Sequence, residues 1–161
     1  MTDLIALRPL SVNDASVMVD VLSSPDLYAF TGGGPPTYDD LRRRYDAQAR
    51  GRSDDGAETW VNLLVLLGER REPIGYVQAT IPTDGGSTAI AWVIGRPWQG
   101  RGYATRATRL LLDDLRERGV TRVVADVHPQ HAASQRIATR LGMAPTEEVV
   151  DGEIRWSGNV G

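Results

Sequence analysis

The sequence predicts a mixed α/β fold with an antiparallel meander at its centre. Two helical segments lie among the early strands, three strands then follow one another directly, and the chain closes on a helix–strand–helix–strand series. The connections between the three central strands are short and polar, which is typical of antiparallel hairpins. This order of elements fits one sheet covered by helices.

The first third of the chain predicts one strand and two helices, over residues 4–8, 12–22 and 38–50. Asn13 and Asp14 stand where a side chain can cap the first helix, and apolar residues then recur at helical spacing. Thr37 can cap the second helix, because two aspartates follow in the first turn and arginines follow later, as the helix dipole prefers. Loops over 31–36 and 51–56 separate these elements from their successors.

The remaining elements are predicted as three strands, a helix, a strand, a helix and two strands, over residues 59–67, 74–81, 88–94, 101–118, 120–127, 132–141, 147–150 and 153–157. The first of these helices has one apolar stripe, and Arg109 and Asp113 are spaced to pair on its outer face. Gly119 and Gly142 are placed to end the two helices.

Composition restricts the classes of function. A length of 161 residues predicts a single domain, residues 1–161, and a net charge of −3 gives no support for a general nucleic-acid role. The longest aliphatic run, residues 63–67, is too short to span a bilayer, and no signal peptide is visible, so we expect a cytoplasmic protein without membrane contact. The chain has no cysteine and only His128 and His131, beside the single close carboxylate of Asp126, so we expect no metal site.

The most informative stretch is a glycine-containing run between a predicted strand and a predicted helix: Gln99, Gly100, Arg101, Gly102, Tyr103, Ala104 and Thr105. The two glycines permit a tight turn and leave no Cβ to hold a ligand away. The following amides emerge at a helix start, where unpaired N–H groups and the positive end of the dipole favour an anion. A phosphate or pyrophosphate is the predicted ligand, and the hydroxyl of Thr105 is a candidate donor to it.

Two common phosphate-binding motifs do not fit this run. A nucleotide-triphosphate loop requires Lys-Ser/Thr after its last glycine, and here Tyr103 and Ala104 follow Gly102. A dinucleotide-binding fingerprint requires a third glycine and an early first strand, whereas residue 105 is Thr and several strands precede the run.

The pattern Gln-x-x-Gly-x-Ala over residues 99–104 resembles the acyl-CoA pyrophosphate loop of the GNAT superfamily of N-acetyltransferases. A second similarity follows over residues 128–134, His-Pro-Gln-His-Ala-Ala-Ser, and continues to Leu-Gly-Met at 141–143. The opening Leu-Arg-Pro-Leu at 7–10, with Asp14 after it, resembles the branch that includes ribosomal-protein N-terminal acetyltransferases. The resemblance covers residues 5–156 and implies a splayed, mostly antiparallel sheet flanked by helices.

The resemblance also implies where acetyl-CoA binds, as a co-substrate. The exposed backbone of Trp92, Val93 and Ile94 would bond to pantetheine in a gap after the fourth strand. The amides of residues 100–105 would hold the pyrophosphate, with Arg101 able to contact a phosphate and Tyr103 able to pack on the cofactor or fill the helix–sheet interface.

Two residues near the second motif are the other candidates for site residues. In the relatives nearest this pattern, a serine at the position of Ser134 is placed to protonate the departing thiolate, although a first-turn serine can also satisfy backbone N–H groups. His131 occupies a position where the family usually has an asparagine that bonds to pantetheine. Histidine can replace that contact or cap the helix.

The general base is left open by the sequence. Many relatives place a glutamate on the fourth strand, but residues 87–94 contain no carboxylate. Asp126 and His128 alternate onto one face of the next strand, and Glu58 begins an earlier one. Any of the three can serve, and a water chain or an acceptor amine of low pKa removes the need for a dedicated base.

The predicted function is transfer of an acetyl group from acetyl-CoA to a primary amine, on a protein N-terminus or a small molecule, by direct attack. The alternatives are a non-catalytic acyl-CoA-binding or sensing module and a plain interaction domain. The arginines at 42–44, 50 and 52 either form an acceptor rim or a solvated helix face, and Trp60 and Trp156 either line the acceptor cleft or are buried. The expected assembly is a monomer or homodimer.

Overall fold

A computed structural model describes residues 3–160, in which all strands form one seven-stranded sheet. The strands are β1 Ile5–Pro9, β2 Glu58–Leu67, β3 Glu72–Pro82, β4 Thr88–Ile94, β5 Arg122–Val127, β6 Ala144–Val150 and β7 Glu153–Asn159. Their order across the sheet is β1-β2-β3-β4-β5-β7-β6. The four α-helices are α1 Ala15–Val21, α2 Tyr38–Gln48, α3 Tyr103–Glu117 and α4 Ala132–Arg140. The mixed α/β prediction is confirmed.

The strand pairing is antiparallel except at one place. β2 to β4 form the predicted meander, to which β1 adds antiparallel beside β2, and β5, β7 and β6 form a second antiparallel group. The two groups meet where β4 runs parallel to β5, and only two Cα pairs join them, Thr88 with Val123 and Ala89 with Val124. Beyond Ala89 the two strands diverge, so the sheet is splayed after its fourth strand, as the resemblance implied.

Each face of the sheet has its own core. On one face, α3 buries its apolar stripe of Ala107, Leu111 and Leu115 against strand residues such as Val77 and Val123. On the opposite face, α1 and α2 pack Met18, Leu41 and Tyr45 against residues of β2 that include Leu64 and Leu66. Because side chains alternate along a strand, successive residues of β3 and β4 belong to different faces.

The first helix starts differently from the prediction. A short 3₁₀ turn, Val12–Asp14, precedes α1, and the side chains of Asn13 and Asp14 make no capping hydrogen bond to α1 itself. Instead the Asp14 carboxylate accepts the N–H of Ser11 at 2.8 Å and two bonds from the Arg8 guanidinium at 2.9 and 3.1 Å. Asp14 is buried and is used by this ion pair, which connects the end of β1 to the helix. The predicted cap of α2 is confirmed, since Thr37 accepts the N–H of Asp40 at 3.1 Å.

The predicted pair on the outer face of α3 is wrong. Arg109 donates to the main-chain oxygen of Arg140 at 3.2 Å, at the end of α4, and Asp113 pairs instead with Arg116 at 3.2 Å. The arginine therefore joins two helices, which spacing within one helix could not indicate.

Candidate active site

The opening between β4 and β5 forms a cavity of about 370 Å³. Its walls come from both groups of strands, from the loop before α2 and from the start of α4. The lining residues are Leu27, Phe30, Thr31, Tyr76, Ala89, Ile90, Ala91, Trp92, Val93, Val124, Ala125, Asp126, Val127, His128, His131, Ser134 and Glu153. Four residues predicted from the sequence, Trp92, Val93, His131 and Ser134, are therefore brought together in one place. Ile94 is 6% exposed and its side chain belongs to the core.

The glycine-containing run forms a turn at the N-terminal end of α3. Gly100 and Gly102 have φ of +79° and +81°, which only glycine adopts without strain, and a Cβ on either would meet open space. The first main-chain bond of the helix runs from the N–H of Arg106 to the oxygen of Gly102 at 3.1 Å. The N–H groups of Tyr103, Ala104 and Thr105 are therefore the unpaired donors of the first turn, and they can serve an anion.

The side chains of this run have mainly structural contacts. Gln99 donates from Nε2 to the main-chain oxygen of Ile94 at 2.9 Å, which holds the turn against the end of β4. The Tyr103 ring is buried between α3 and the sheet, and its hydroxyl bonds to Asp3. The Thr105 hydroxyl is buried and has no partner among residues 3–160, so its bond to the phosphate stays a prediction. Arg101 is exposed beside the turn.

Ser134 lies at the centre of a small hydrogen-bond network on the cavity wall. The indole N–H of Trp92 donates to its Oγ at 3.4 Å, and Nε2 of His131 lies 3.2 Å from the same oxygen. His131 caps α4, because its Nδ1 accepts the N–H of Ser134 at 3.4 Å. Nδ1 then carries no proton, so a neutral ring is protonated on Nε2 and donates to Ser134. With both lone pairs of Oγ occupied, the O–H of Ser134 is free to donate into the cavity.

Burial keeps His131 in the form that this network requires. Desolvation lowers the pKa of His131, and the nearby His128 acts in the same direction, so the ring is neutral around pH 7. The half-buried Phe30 stacks on His131 with ring centroids 4.6 Å apart and lies 5.1 Å from His128. Sequence reasoning missed Phe30, because it lies in a loop between short helical segments and its contacts arise only from the tertiary structure.

The candidates for a general base differ in their availability. Asp126 lines the cavity but is held by Arg155 at 2.9 and 3.1 Å, and Glu58 accepts from the indole of Trp60 at 3.2 Å, outside the cavity lining. Glu153, which the sequence analysis missed, also lines the cavity. Burial raises the pKa of Glu153, and the charge of Asp126 acts in the same direction while His128 opposes it. Nδ1 of His128 accepts the N–H of Gln130 at 3.1 Å, so Glu153 is the base that the cavity offers.

The two tryptophans proposed for the acceptor cleft do not line this cavity. Trp156 is 8% exposed and belongs to the core beneath β5 and β7, and Trp60 lies on β2. No group of three or more histidine, aspartate or glutamate side chains in residues 3–160 is arranged to hold a metal ion. None of the helices in that part of the chain is long and apolar enough to cross a membrane.

Comparison with known proteins decides the family. A model of the acetyltransferase (GNAT) domain matches residues 5–144. The chain belongs to the GNAT acetyltransferase family. The match gives no separate support to the ribosomal-protein branch, and no curated protein sequence matches this GNAT chain closely enough to count as a relative.

Solved structures share the fold of this GNAT domain at low sequence identity. An acetyltransferase from Thermus thermophilus is 22% identical, with a TM-score of 0.76 and 96% of each chain covered. The GNAT domain of S. lividans PAT is 22% identical, with a TM-score of 0.77 and coverage of 98% and 96%. The aminoglycoside acetyltransferase AAC(6')-Ib, solved with coenzyme A, is 20% identical, with a TM-score of 0.78 and coverage of 97% and 95%.

Proposed function

We propose that the protein is an N-acetyltransferase that moves an acetyl group from acetyl-CoA to a primary amine by direct attack. The observation that carries the proposal is the Ser134 hydroxyl on the wall of the cavity between β4 and β5, 3.4 Å from the indole nitrogen of Trp92 and 3.2 Å from Nε2 of His131. Family membership supports acetyl transfer, and structural neighbours bound to coenzyme A or to acetyl-CoA with an aminoglycoside support the donor and the type of acceptor.

The unpaired amides at the start of α3 fit a pyrophosphate. Three N–H groups and the positive end of the helix point at the same space, and Gly100 and Gly102 leave that space open. Arg101 is exposed beside this space and can add a charge-assisted bond. The backbone of Trp92 and Val93, which β5 leaves unpaired, would bond to the pantetheine arm and polarise the thioester carbonyl.

The residues at the cavity divide the proton transfers between them. An alkylammonium must lose a proton before its nitrogen can attack, and Glu153 with its raised pKa would take that proton. The new C–N bond forms as the C–S bond breaks, and the O–H of Ser134 would protonate the departing thiolate. The serine oxygen would regain a proton as the new amide nitrogen loses its second one. The hydrogen bonds from Trp92 and His131 make that O–H a stronger donor, since chains of hydrogen bonds polarise one another.

Release of free thiol from acetyl-CoA tests the proposal. The purified protein is incubated with acetyl-CoA and panels of small amines and of peptides with free N-termini, and thiol is measured against a control without acceptor. Amine-dependent release supports an N-acetyltransferase, and the panel that reacts distinguishes a protein N-terminus from a small-molecule acceptor. Tight binding of acetyl-CoA without release for any amine would favour the alternative, a non-catalytic acyl-CoA-binding or sensing module.

A further inference from the structure

A second cavity, of about 220 Å³, lies on the sheet face covered by α1 and α2. Two leucines and six polar or aromatic residues line it, the six being Arg44, Tyr45, Gln48, Asn62, Tyr76 and Gln78. The first three come from α2 and the others from β2 and β3. We call it the polar pocket.

The polar pocket adjoins the candidate active site on the same face of the sheet. Tyr76 lines both cavities. In the strand register, Asn62 pairs with Gln78, and Gln78 pairs with Ala91, which lines the active-site cavity. Neighbouring strands lie about 4.8 Å apart, so this row of three residues spans roughly 10 Å. An acceptor whose amine lies at β4 can therefore reach into the polar pocket.

One polar group in this pocket has no partner within the protein. Tyr45 is 3% exposed, and its hydroxyl is buried without a hydrogen bond among residues 3–160. A buried hydroxyl without a partner costs free energy, so such a group is usually satisfied by a ligand or water. Burial raises the pKa of Tyr45 well above its usual range, so the phenol stays protonated and can donate.

Arg44 is the arginine of its run that faces this pocket. Arg43 pairs with Asp40, and the guanidinium of Arg42 lies 5.9 Å from the ring centroid of Tyr38. Arg44 instead lines the polar pocket, where no lining residue is a carboxylate. Tyr45 and Tyr76 line the same pocket, and the positive charge of Arg44 acts against the rise that burial causes in the pKa of both.

We propose that the polar pocket binds an anionic group of the acceptor, a carboxylate in the simplest case, roughly 10 Å from the amine that is acetylated. Arg44 supplies the charge, the hydroxyl of Tyr45 supplies a donor, and the amides of Asn62 and Gln78 supply further donors. This assignment rests on the proposed N-acetyltransferase function and names its substrate class. Polycationic amines would be disfavoured, because a second ammonium would lie beside Arg44 without a counter-charge.

The test compares free acids with their amides at equal amine chemistry. Extended peptide spans about 3.3–3.6 Å per residue, so triglycine places its carboxylate at the required distance, and triglycinamide is the uncharged match. We expect kcat/KM for triglycine to exceed that for triglycinamide by about tenfold or more, mainly through KM, since a charge-assisted hydrogen bond contributes on this scale. A smaller ratio for glycine against glycinamide is expected, because its carboxylate lies too close to the amine.

Matched variants connect the preference to the pocket. Arg44→Gln should remove the preference for the acid, whereas Arg42→Gln, two residues earlier on α2 and outside the pocket lining, should keep it. Tyr45→Phe should raise KM for triglycine several-fold yet raise Tm, because it deletes a buried hydroxyl that has no partner in the protein. A merely structural tyrosine would not combine a higher Tm with weaker acceptor binding.

The results separate this proposal from the proposed function. Equal kcat/KM for triglycine and triglycinamide, or an acid preference that survives Arg44→Gln, would overturn the anionic subsite while amine-dependent thiol release still stood. Absence of thiol release with every peptide and amine, despite acetyl-CoA binding measured by calorimetry, would overturn both together.

Discussion

Ser134 makes three hydrogen bonds, one through its backbone N–H and two through its side-chain oxygen, and these determine how its hydroxyl can act. The capping role at the start of α4 belongs to His131, and Trp92 and His131 both donate to the serine oxygen. Ser134 was predicted as a site residue from the motif at residues 128–134, because nearby sequence determines its position in the helix. Phe30 and Glu153 were not predicted, since the first stacks on His131 from a distant loop and the second faces the cavity from β7, beside β5.

Replacement of Ser134 by alanine should lower kcat by roughly 10²–10⁴-fold and leave acetyl-CoA affinity nearly intact, because the hydroxyl donates only as the thiolate departs. Tm should change little, since His131 provides the cap. Steady-state kinetics, calorimetry and thermal denaturation measure the three quantities. Thr139→Ala, which removes a hydroxyl bonded to the backbone within the same helix, is the control. Near wild-type kcat in Ser134→Ala would assign the acid to another group.

The lowered pKa of His131 predicts a pH dependence of stability. In the unfolded chain the imidazole of His131 binds a proton near pH 6.5, but in the folded protein it binds that proton only at lower pH. Stability should therefore fall as pH decreases through 6.5 and level off below the folded pKa. His131→Asn should flatten this part of the curve of unfolding free energy against pH, as measured by denaturant titration. Parallel curves for the two proteins would contradict a neutral, buried His131.

At the scale of whole elements, local rules predicted most of the fold. The ends of the helices and strands were predicted to within a few residues. The signals were hydrophobic spacing, short polar turns and Thr37 as a cap. The failures came where one element contacts another. Arg109 bonds to the end of α4 in place of its helical neighbour, and the Asp14 carboxylate bonds to Arg8 on β1 in place of capping α1. Partners that are distant in sequence override local spacing in both cases.

The turn that begins α3 can be tested with two valines at opposite ends of the helix. Gly102→Val should reduce acetyl-CoA affinity at least tenfold, because its side chain would occupy the open space above the amides. Gly119→Val is the matched control, since that glycine has φ of +87° against +81° for Gly102 and likewise faces open space. Backbone strain should lower the free energy of unfolding of both variants by a similar amount, about 1–2 kcal/mol. Calorimetric titration giving equal affinities would place the pyrophosphate elsewhere.

For the molecule as a whole, the opening between β4 and β5 brings the two halves of the chain into one site. β3 and β4 supply Tyr76 and residues 89–93 to its lining, while β5, β7 and the start of α4 supply Asp126, Glu153, His131 and Ser134. Family resemblance predicted the opening, but the residues lining it could not be predicted from composition or periodicity. Their positions depend on strand register, such as the pairing of Asn62 with Gln78 and of Gln78 with Ala91, and register is settled only when the sheet forms.

Amide hydrogens along β4 should exchange with deuterium at two distinct rates. β4 pairs with Gly75 to Thr80 of β3 over residues 89–94, whereas its pairing with β5 stops at Ala89. The N–H groups of residues 90–94 that point away from β3 therefore form a strand edge inside the sheet, shielded from the edge-to-edge pairing that exposed edges invite. Coenzyme A should slow their exchange and leave β2 unchanged in mass-spectrometric measurements. Equal protection of all β4 amides before coenzyme A is added would contradict an open edge. Slower exchange confined to the amides that point away from β3 would mean that coenzyme A takes the place of a missing strand.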